Sequence, residues 1–324
     1  ANAQATTGTK VNLMRAYTGT HRDTFLRYID AYRTKTQGGN CESGTFTHSL
    51  VKAADTYMRA PTHKNGPWSS NPGGSDDASA EYLGCRRNFH IVLTDGEWNS
   101  GMTNVPGSQK NYDGERSYWP SHIPTATDAQ TQLYRDRSET NSSIADWAFY
   151  SWANPLRPAS DLQGTVQPSK EYRVAPTTET FENRVSKTTA TLDRFWNPRY
   201  NPATWAHMVT FTIGFSTDAL PEKNYKLVGT SHVEQTDNPI IKPTSLVPYG
   251  YDGNFADYAN GTYRWRASSD KGHDMWHAAI NSRGQFYAVE KGEDLKVAFR
   301  EIIKTISTQV EPQKTTTAKA ASKK

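Results

Sequence analysis

Two long, almost continuous apolar runs constrain the fold of this chain more than any other feature. They are "NFHIVLT" at 88–94 and "HMVTFTIGF" at 207–215, and both are rich in β-branched and aromatic residues. Strands with such runs are buried on both faces, which is typical of parallel sheets covered by helices. The first run ends at Asp95-Gly96, a dipeptide that fits both a tight turn and a ligand-binding sheet edge.

The segments around these runs carry the apolar periodicity of helices and of one further strand. Helices are predicted at 21–34, 45–58, 142–153, 178–196, 273–282 and 292–308, and a short strand at 284–289. Helices that alternate with buried strands in this way predict an α/β fold with a largely parallel sheet flanked by helices.

Two polar, aromatic-rich stretches interrupt this order. We interpret residues from about 99 to 205 and from about 216 to 270 as large, loop-rich insertions into one domain that spans 1–309. The segment 310–324 is predicted to be a disordered tail or linker, because it has too few apolar side chains to join a core. It consists of Val310 followed by "EPQKTTTAKAASKK".

Composition narrows the classes of partner. The net charge of +4 is small and dispersed, so we expect no nucleic-acid partner. No apolar stretch approaches the roughly 20 residues of a transmembrane helix, so no membrane span is expected. A hydrophobic content of 35% with 9 Trp, 17 Tyr and 11 Phe is typical of a loop-rich extracellular protein with aromatic anchors.

The chain has two cysteines, Cys41 and Cys85, and neither lies in a metal-ligand pattern. The pair predicts one disulfide formed in an oxidising compartment, and two buried free thiols are the alternative. A loop of that length would gain roughly 4 kcal/mol of stability from the bond in the chain-entropy model.

Five segments resemble, in their order and wording, the von Willebrand factor A-like region of PilY1-type proteins, the tip-associated adhesins and assembly factors of bacterial type IV pili. They are "GTFTHSLVKAADTYM", "CRRNFHIVLTDGEWN", "SSIADWAFYSWANPL", "WAHMVTFTIGF" and "MWHAAINSRGQFYAV". The resemblance covers about 21–307. It implies a Rossmann-like parallel sheet, export through the periplasm, a place at the pilus tip or cell surface, and minor pilins and host or abiotic surface receptors as partners.

The resemblance also implies a divalent cation. Such A domains bind Mg, Mn or Ca at a metal-ion-dependent adhesion site of three loops, and a carboxylate of the partner completes the coordination. By match to the motif, Thr45 is the second-loop ligand and Asp95 the third-loop ligand, and oxygen ligands suit these hard cations. The Asp-x-Ser-x-Ser loop and the strand before it are missing from this sequence. We therefore expect an incomplete site with weak affinity.

Two other motifs offer alternative sites. "HDMWH" places His273 and His277 at i and i+4 with Asp274 between them, as in zinc proteases, although a structural role of this helix is favoured. Trp119, in "RSYWPSH", is a candidate for surface recognition of sugars, whereas Trp147 and Trp152 are predicted to be buried anchors.

No nucleophile motif or phosphate-binding loop is present, so the protein is expected not to be an enzyme. The sequence leaves three non-enzymatic functions open: a metal-dependent adhesin of the pilus, a structural tip component that docks on minor pilins without metal, and a sugar-binding surface module. A zinc hydrolase is the remotest alternative.

Overall fold

The computed structural model contains both helices and strands and describes residues 14–36, 47–72, 81–96, 98, 103–107, 110–136, 141–182, 187, 189–215, 224–228, 231–235, 263–264, 271–289 and 291–309. The α-helices are α1 (Gly19–Thr36), α2 (Thr47–Arg59), α3 (Asp128–Thr131), α4 (Ile144–Ala153), α5 (Lys170–Val174), α6 (Lys271–Asn281) and α7 (Gly292–Gln309). The strands are β1 (Asn88–Thr94), β2 (Thr178–Glu182), β3 (Thr189–Asp193), β4 (Met208–Phe215), β5 (Asn224–Val228), β6 (Ser231–Gln235), β7 (Tyr263–Arg264) and β8 (Phe286–Val289).

The central sheet confirms the prediction from the apolar runs. β1, β4 and β8 lie side by side in that order and are parallel, with Asn88 opposite Met208 and Thr212 opposite Phe286. Because β4 is central, all but its last residue are buried. The predicted α/β class, a parallel sheet flanked by helices, is confirmed and is compatible with the von Willebrand factor A-like fold.

Helices cover both faces of this sheet. On one face, Phe211 and Ile213 of β4 pack with the apolar side of α7, which includes Ala298 and Ile302. On the other face, the Thr212 hydroxyl donates a 2.8 Å hydrogen bond to the carbonyl of Met275 in α6. The alternation of side chains along β4 therefore directs successive residues to two different helical layers.

The first predicted insertion contributes to the core. Its described residues supply most of the largest buried cluster, including Tyr134, Phe149 and Trp196. Trp147 and Trp152 are 2% and 0% exposed, which confirms both as buried anchors. The segment is therefore rich in loops but has many buried apolar residues. Its helix α4 packs against α6. The boundaries 1–309, 99–205 and 216–270 stay predictions.

One predicted helix is wrong. The predicted range 178–196 contains instead the antiparallel strands β2 and β3, with Thr178 opposite Asp193 and Glu182 opposite Thr189. Phe181, Ala190 and Leu192 point inward between exposed neighbours, the period-two pattern of a half-buried strand. The β-branched threonines of both strands suit a sheet better than a helix, which agrees with this pairing.

The helix predicted near the start of the sequence is confirmed as α1, but it packs loosely. Phe25, Leu26 and Ile29 are 39%, 39% and 46% exposed, although their spacing gives them one face of the helix. β5, β6 and β7 form a separate three-stranded antiparallel sheet inside the second predicted insertion. The predicted tail at 310–324 lies outside the described residues. Within the described part, no helix is both long and apolar enough to cross a membrane.

Candidate functional site

The turn after β1 places Asp95 at the carboxyl-terminal edge of the sheet, where open α/β folds bind their ligands. Asp95 is exposed, whereas Thr94 beside it is buried, and the Thr94 hydroxyl donates to an Asp95 carboxylate oxygen at 3.3 Å. Gly96 follows with φ of +88°, a left-handed conformation that glycine adopts without strain. Asp95-Gly96 is therefore both a tight turn and an acid presented at the edge.

A groove of about 370 Å³ opens at this edge and brings two parts of the sequence together. Asp95 and Thr94 line it from β1, and Thr47 lines it from the first turn of α2. Thr45, the predicted second-loop ligand, lies outside the described residues. The start of α2 thus lies beside Asp95, while the role of Thr45 stays a prediction.

Most of the groove is apolar, which sequence reasoning missed. Leu50, Leu93 and Phe215 line it and are 57%, 47% and 37% exposed, and Leu295 of α7 completes it. A signal was present in the sequence, because Phe215 ends the second apolar run at the same sheet edge at which Asp95 ends the first. The acid therefore stands beside an apolar surface.

The described residues fit a divalent cation by type but not by number. A carboxylate and two hydroxyls are the oxygen donors that Mg, Mn and Ca prefer, and Asp95, Thr47 and Thr94 would supply them. No group of three or more His, Cys, Asp or Glu side chains suitable for a metal occurs among the residues described. With one carboxylate, most coordination positions would be left to water or to a partner.

A buried histidine, His48, is the second residue of α2. His48 is 0% exposed and its ring meets the edge of Trp98 at a centroid distance of 5.8 Å. Burial lowers the pKa of His48 to about 4, so the imidazole is neutral near pH 7. Neither ring nitrogen has a hydrogen-bond partner in the described structure. His48 therefore contributes an aromatic contact to this edge and no positive charge.

The "HDMWH" motif lies in α6 and is fully buried. His273 and His277 stack with ring centroids 6.4 Å apart, and Trp276 packs on His277 at 4.6 Å. Asp274 accepts hydrogen bonds from the backbone N–H groups of Ile144 and Ala145 at 3.2 and 2.9 Å. The acid of this motif is thus bound to the N-terminus of α4, where a carboxylate is stabilising. The zinc hypothesis gains no support from this arrangement.

We predict that Asp274→Ala destabilises the fold. The substitution leaves two buried backbone donors without an acceptor, at about 1–3 kcal/mol each, so the free energy of unfolding should fall by about 2–5 kcal/mol. Urea denaturation followed by tryptophan fluorescence measures this loss. Asp294→Ala, an acid in the first turn of α7, is the matched control and should change stability by less than about 1 kcal/mol. Equal effects of the two substitutions would contradict the role given to Asp274.

The tryptophan chosen for surface recognition is turned inward. Trp119 is half-buried, its indole N–H donates to the carbonyl of Tyr112 at 2.7 Å, and its ring packs on Phe149 and Trp196 at 5.1 and 5.4 Å. These contacts hold the indole within the insertion, and sugar recognition by Trp119 stays a prediction. The disulfide also stays a prediction, because Cys85 is half-buried next to Gly164 while Cys41 lies outside the described residues.

The fold and its edge define a class: a Rossmann-like α/β region, compatible with A-type domains, that presents an acid and an apolar groove at the carboxyl ends of its strands. Comparison with known proteins gives the family. The chain belongs to the PilY1-type proteins, as a region of them: it is 30% identical over 304 residues to the type IV pilus biogenesis factor PilY1 of Pseudomonas aeruginosa strain PAO1.

Two further relatives agree with this assignment. The PilY1 proteins of P. aeruginosa strains PAK and UCBPP-PA14 are 29% and 32% identical over 304 and 232 residues. The matches cover 91%, 91% and 69% of the chain, but only 21%, 21% and 16% of the relatives. The chain therefore spans about a fifth of the length of the curated proteins that it matches. No family model and no solved structure matches it.

Proposed function

We propose that this chain is the A-type region of a type IV pilus biogenesis factor that acts in pilus assembly and in attachment to surfaces. The similarity to three proteins described as type IV pilus biogenesis factors, over up to 91% of the chain, carries the proposal. In this role the protein works at the pilus tip or cell surface after export through the periplasm. Its partners are minor pilins and a host or abiotic surface, and it is not an enzyme.

Attachment is proposed to depend on a divalent cation held at Asp95. The acid is exposed at the sheet edge, the Thr47 and Thr94 side chains line the same groove, and these donors suit Mg, Mn or Ca. When bound, the ion would supply a positive charge to which a carboxylate of the partner could bind. Thr45 is proposed as a further hydroxyl ligand by its match to the motif.

A second function is favoured by the apolar part of the groove. Leu50, Leu93 and Phe215 expose large side chains next to Asp95, and exposed apolar patches commonly mark protein interfaces. In this alternative the region is a structural tip component that docks on minor pilins without metal. The two functions differ in their response to chelation.

We expect calorimetric titration with Mg²⁺, Mn²⁺ or Ca²⁺ to detect weak binding that is lost in Asp95→Ala. The reason is that Asp95 supplies the carboxylate among the groove's described ligands, so its removal takes away the charge that attracts the cation. Asp193→Ala, at the exposed end of β3, is the control and should bind like the parent chain.

Attachment and assembly are then scored separately in cells that carry the full-length parent protein with each substitution. Loss of surface binding in chelator, with pilus number unchanged, supports the metal-dependent adhesin. Absence of cation binding by the parent chain contradicts it. Loss of pili on substitution of Leu93 by a charged residue, without any effect of chelator, would favour metal-free docking on pilins.

A further inference from the structure

Three buried aspartates join the first insertion to α6. Asp113 lies in the loop that precedes the short helix 116–118, Asp146 in the first turn of α4, and Asp274 in the first turn of α6. All three side chains are 0% exposed. The negative charges of Asp146 and Asp274 both act on Asp113. Three carboxylates in one buried place repel each other strongly, so their hydrogen bonds decide which of them can be charged.

Two of the three aspartates accept several hydrogen bonds from the protein. Asp274 accepts from two backbone N–H groups at the start of α4. Asp146 accepts from the N–H and the hydroxyl of Ser143 at 2.8 and 3.0 Å, and from the N–H of Asp113 at 3.1 Å. These donors favour the charged form of each carboxylate, although burial still raises the pKa of Asp146 to about 6.

Asp113 has no comparable set of donors. One of its oxygens accepts a 2.7 Å hydrogen bond from the side-chain amide of Asn281 at the end of α6. Its other oxygen, Oδ1, has no hydrogen-bond partner in the described structure, and the same holds for Oδ1 of Asn281. Both are buried acceptor atoms without a donor. The positive charge of Arg135, from the segment that follows α3, also acts on Asp113 and favours its charged form.

We infer that Asp113 is protonated in the folded protein and that this proton is a pH-sensitive switch on the docking of the first insertion against α6. A hydrogen on Asp113 Oδ1 neutralises a buried carboxylate oxygen that has no donor and removes one of three buried negative charges. Loss of that proton leaves a charge with one neutral donor between two anions, which weakens the contact of α4 with α6.

The direction of the pKa agrees with this geometry. Burial raises the pKa of Asp113 well above its usual range, and the charge of Asp146 raises it further. A carboxyl with a raised folded pKa contributes stability that is complete below its unfolded value, near 3.9, and is lost as the pH rises through the folded value. His48, His90 and His207 act in the opposite direction, because burial lowers each pKa to about 4. A single profile of stability against pH combines these opposite effects. The experiment must therefore compare the profiles of variants.

The experiment measures urea unfolding of the parent chain, Asp113→Asn and Asp193→Asn from about pH 4 to about pH 9, a range that spans an ordinary and a raised carboxyl pKa. Asparagine has the size of a neutral aspartic acid and cannot lose a proton. Relative to Asp113→Asn, the unfolding constant of the parent should rise with pH by up to tenfold per unit, the limit for one proton. Asp193→Asn, an exposed site, should follow the parent.

A second measurement needs no substitution. The infrared C=O band of a protonated carboxylic acid should be present in the folded parent chain at neutral pH and absent in the urea-unfolded chain. If the band is missing, or if Asp113→Asn and the parent show parallel stability profiles, the inference is overturned. If Asp113→Asn does not fold, the infrared result alone decides.

Discussion

Gly284→Ala is expected to prevent the chain from forming its native sheet. A Cβ atom at this position would lie 1.9 Å from the carbonyl oxygen of Thr210 and 2.6 Å from its carbonyl carbon. Both are backbone atoms of β4, so no flexible side chain can move aside. We expect a loss of about 3 kcal/mol or more in the free energy of unfolding, seen in urea denaturation and in far-ultraviolet circular dichroism.

The control for this prediction is a second glycine in the same part of the sequence. Gly292, at the start of α7, has no atom within 4 Å of a built Cβ. Gly292→Ala should therefore be neutral or slightly stabilising, because alanine has the higher helix propensity. A folded Gly284→Ala variant with the stability of Gly292→Ala would show that the turn between α6 and β8 is not as close to β4 as described.

Arg283→Ala is expected to have the second largest effect. The guanidinium is buried between aromatic rings, 4.1 Å from the centre of Trp152 and 5.0 Å from that of Tyr134. It donates to the carbonyls of Ile280, Asn281 and Phe195, and the last of these lies in the first insertion. Removal leaves buried acceptors without a donor and empties the space between two rings. We expect stability to fall by about 3–5 kcal/mol, measured by thermal and urea unfolding.

Two further substitutions separate charge from geometry at this position. Arg283→Lys keeps the charge but loses the planar group that reaches three carbonyls. Its stability should therefore lie between that of Arg283→Ala and that of the parent chain. Arg173→Ala, an exposed arginine that donates to the carbonyl of Pro168, should cost less than about 1 kcal/mol. A stability change for Arg283→Ala as small as that for Arg173→Ala would contradict its role in holding the insertion to the sheet.

The sheet and its edge could be predicted because their signals are local. β1 and β4 are apolar runs of strand length, and Asp95 directly follows the first of them. α4 was predictable for the same reason, since Ser143 and Asp146 form a capping box at its start and large apolar residues follow. Each of these features depends on residues that are neighbours in sequence.

The missed features depend on distant contacts. Asp113 lies in a polar stretch that is typical of a surface loop. Nothing near it in sequence indicates that the side chain of Asn281 donates a hydrogen bond to it. The groove has the same origin, because Leu50, Leu93 and Phe215 come from three separate elements. The pairing of β2 with β3 was missed because Phe181, Ala190 and Leu192 are buried against residues that are distant in sequence.

The register of the central sheet also has a kinetic consequence. Asn88 pairs with Met208, and Thr212 pairs with Phe286, so each ladder closes a long loop before it gains its first hydrogen bonds. Sheets with such distant partners fold slowly. A ribosome must also complete nearly the whole described chain before β8 can join β4. β1 lacks its partner until β4 has been made, and until then its apolar residues are open to a chaperone or an aggregating neighbour.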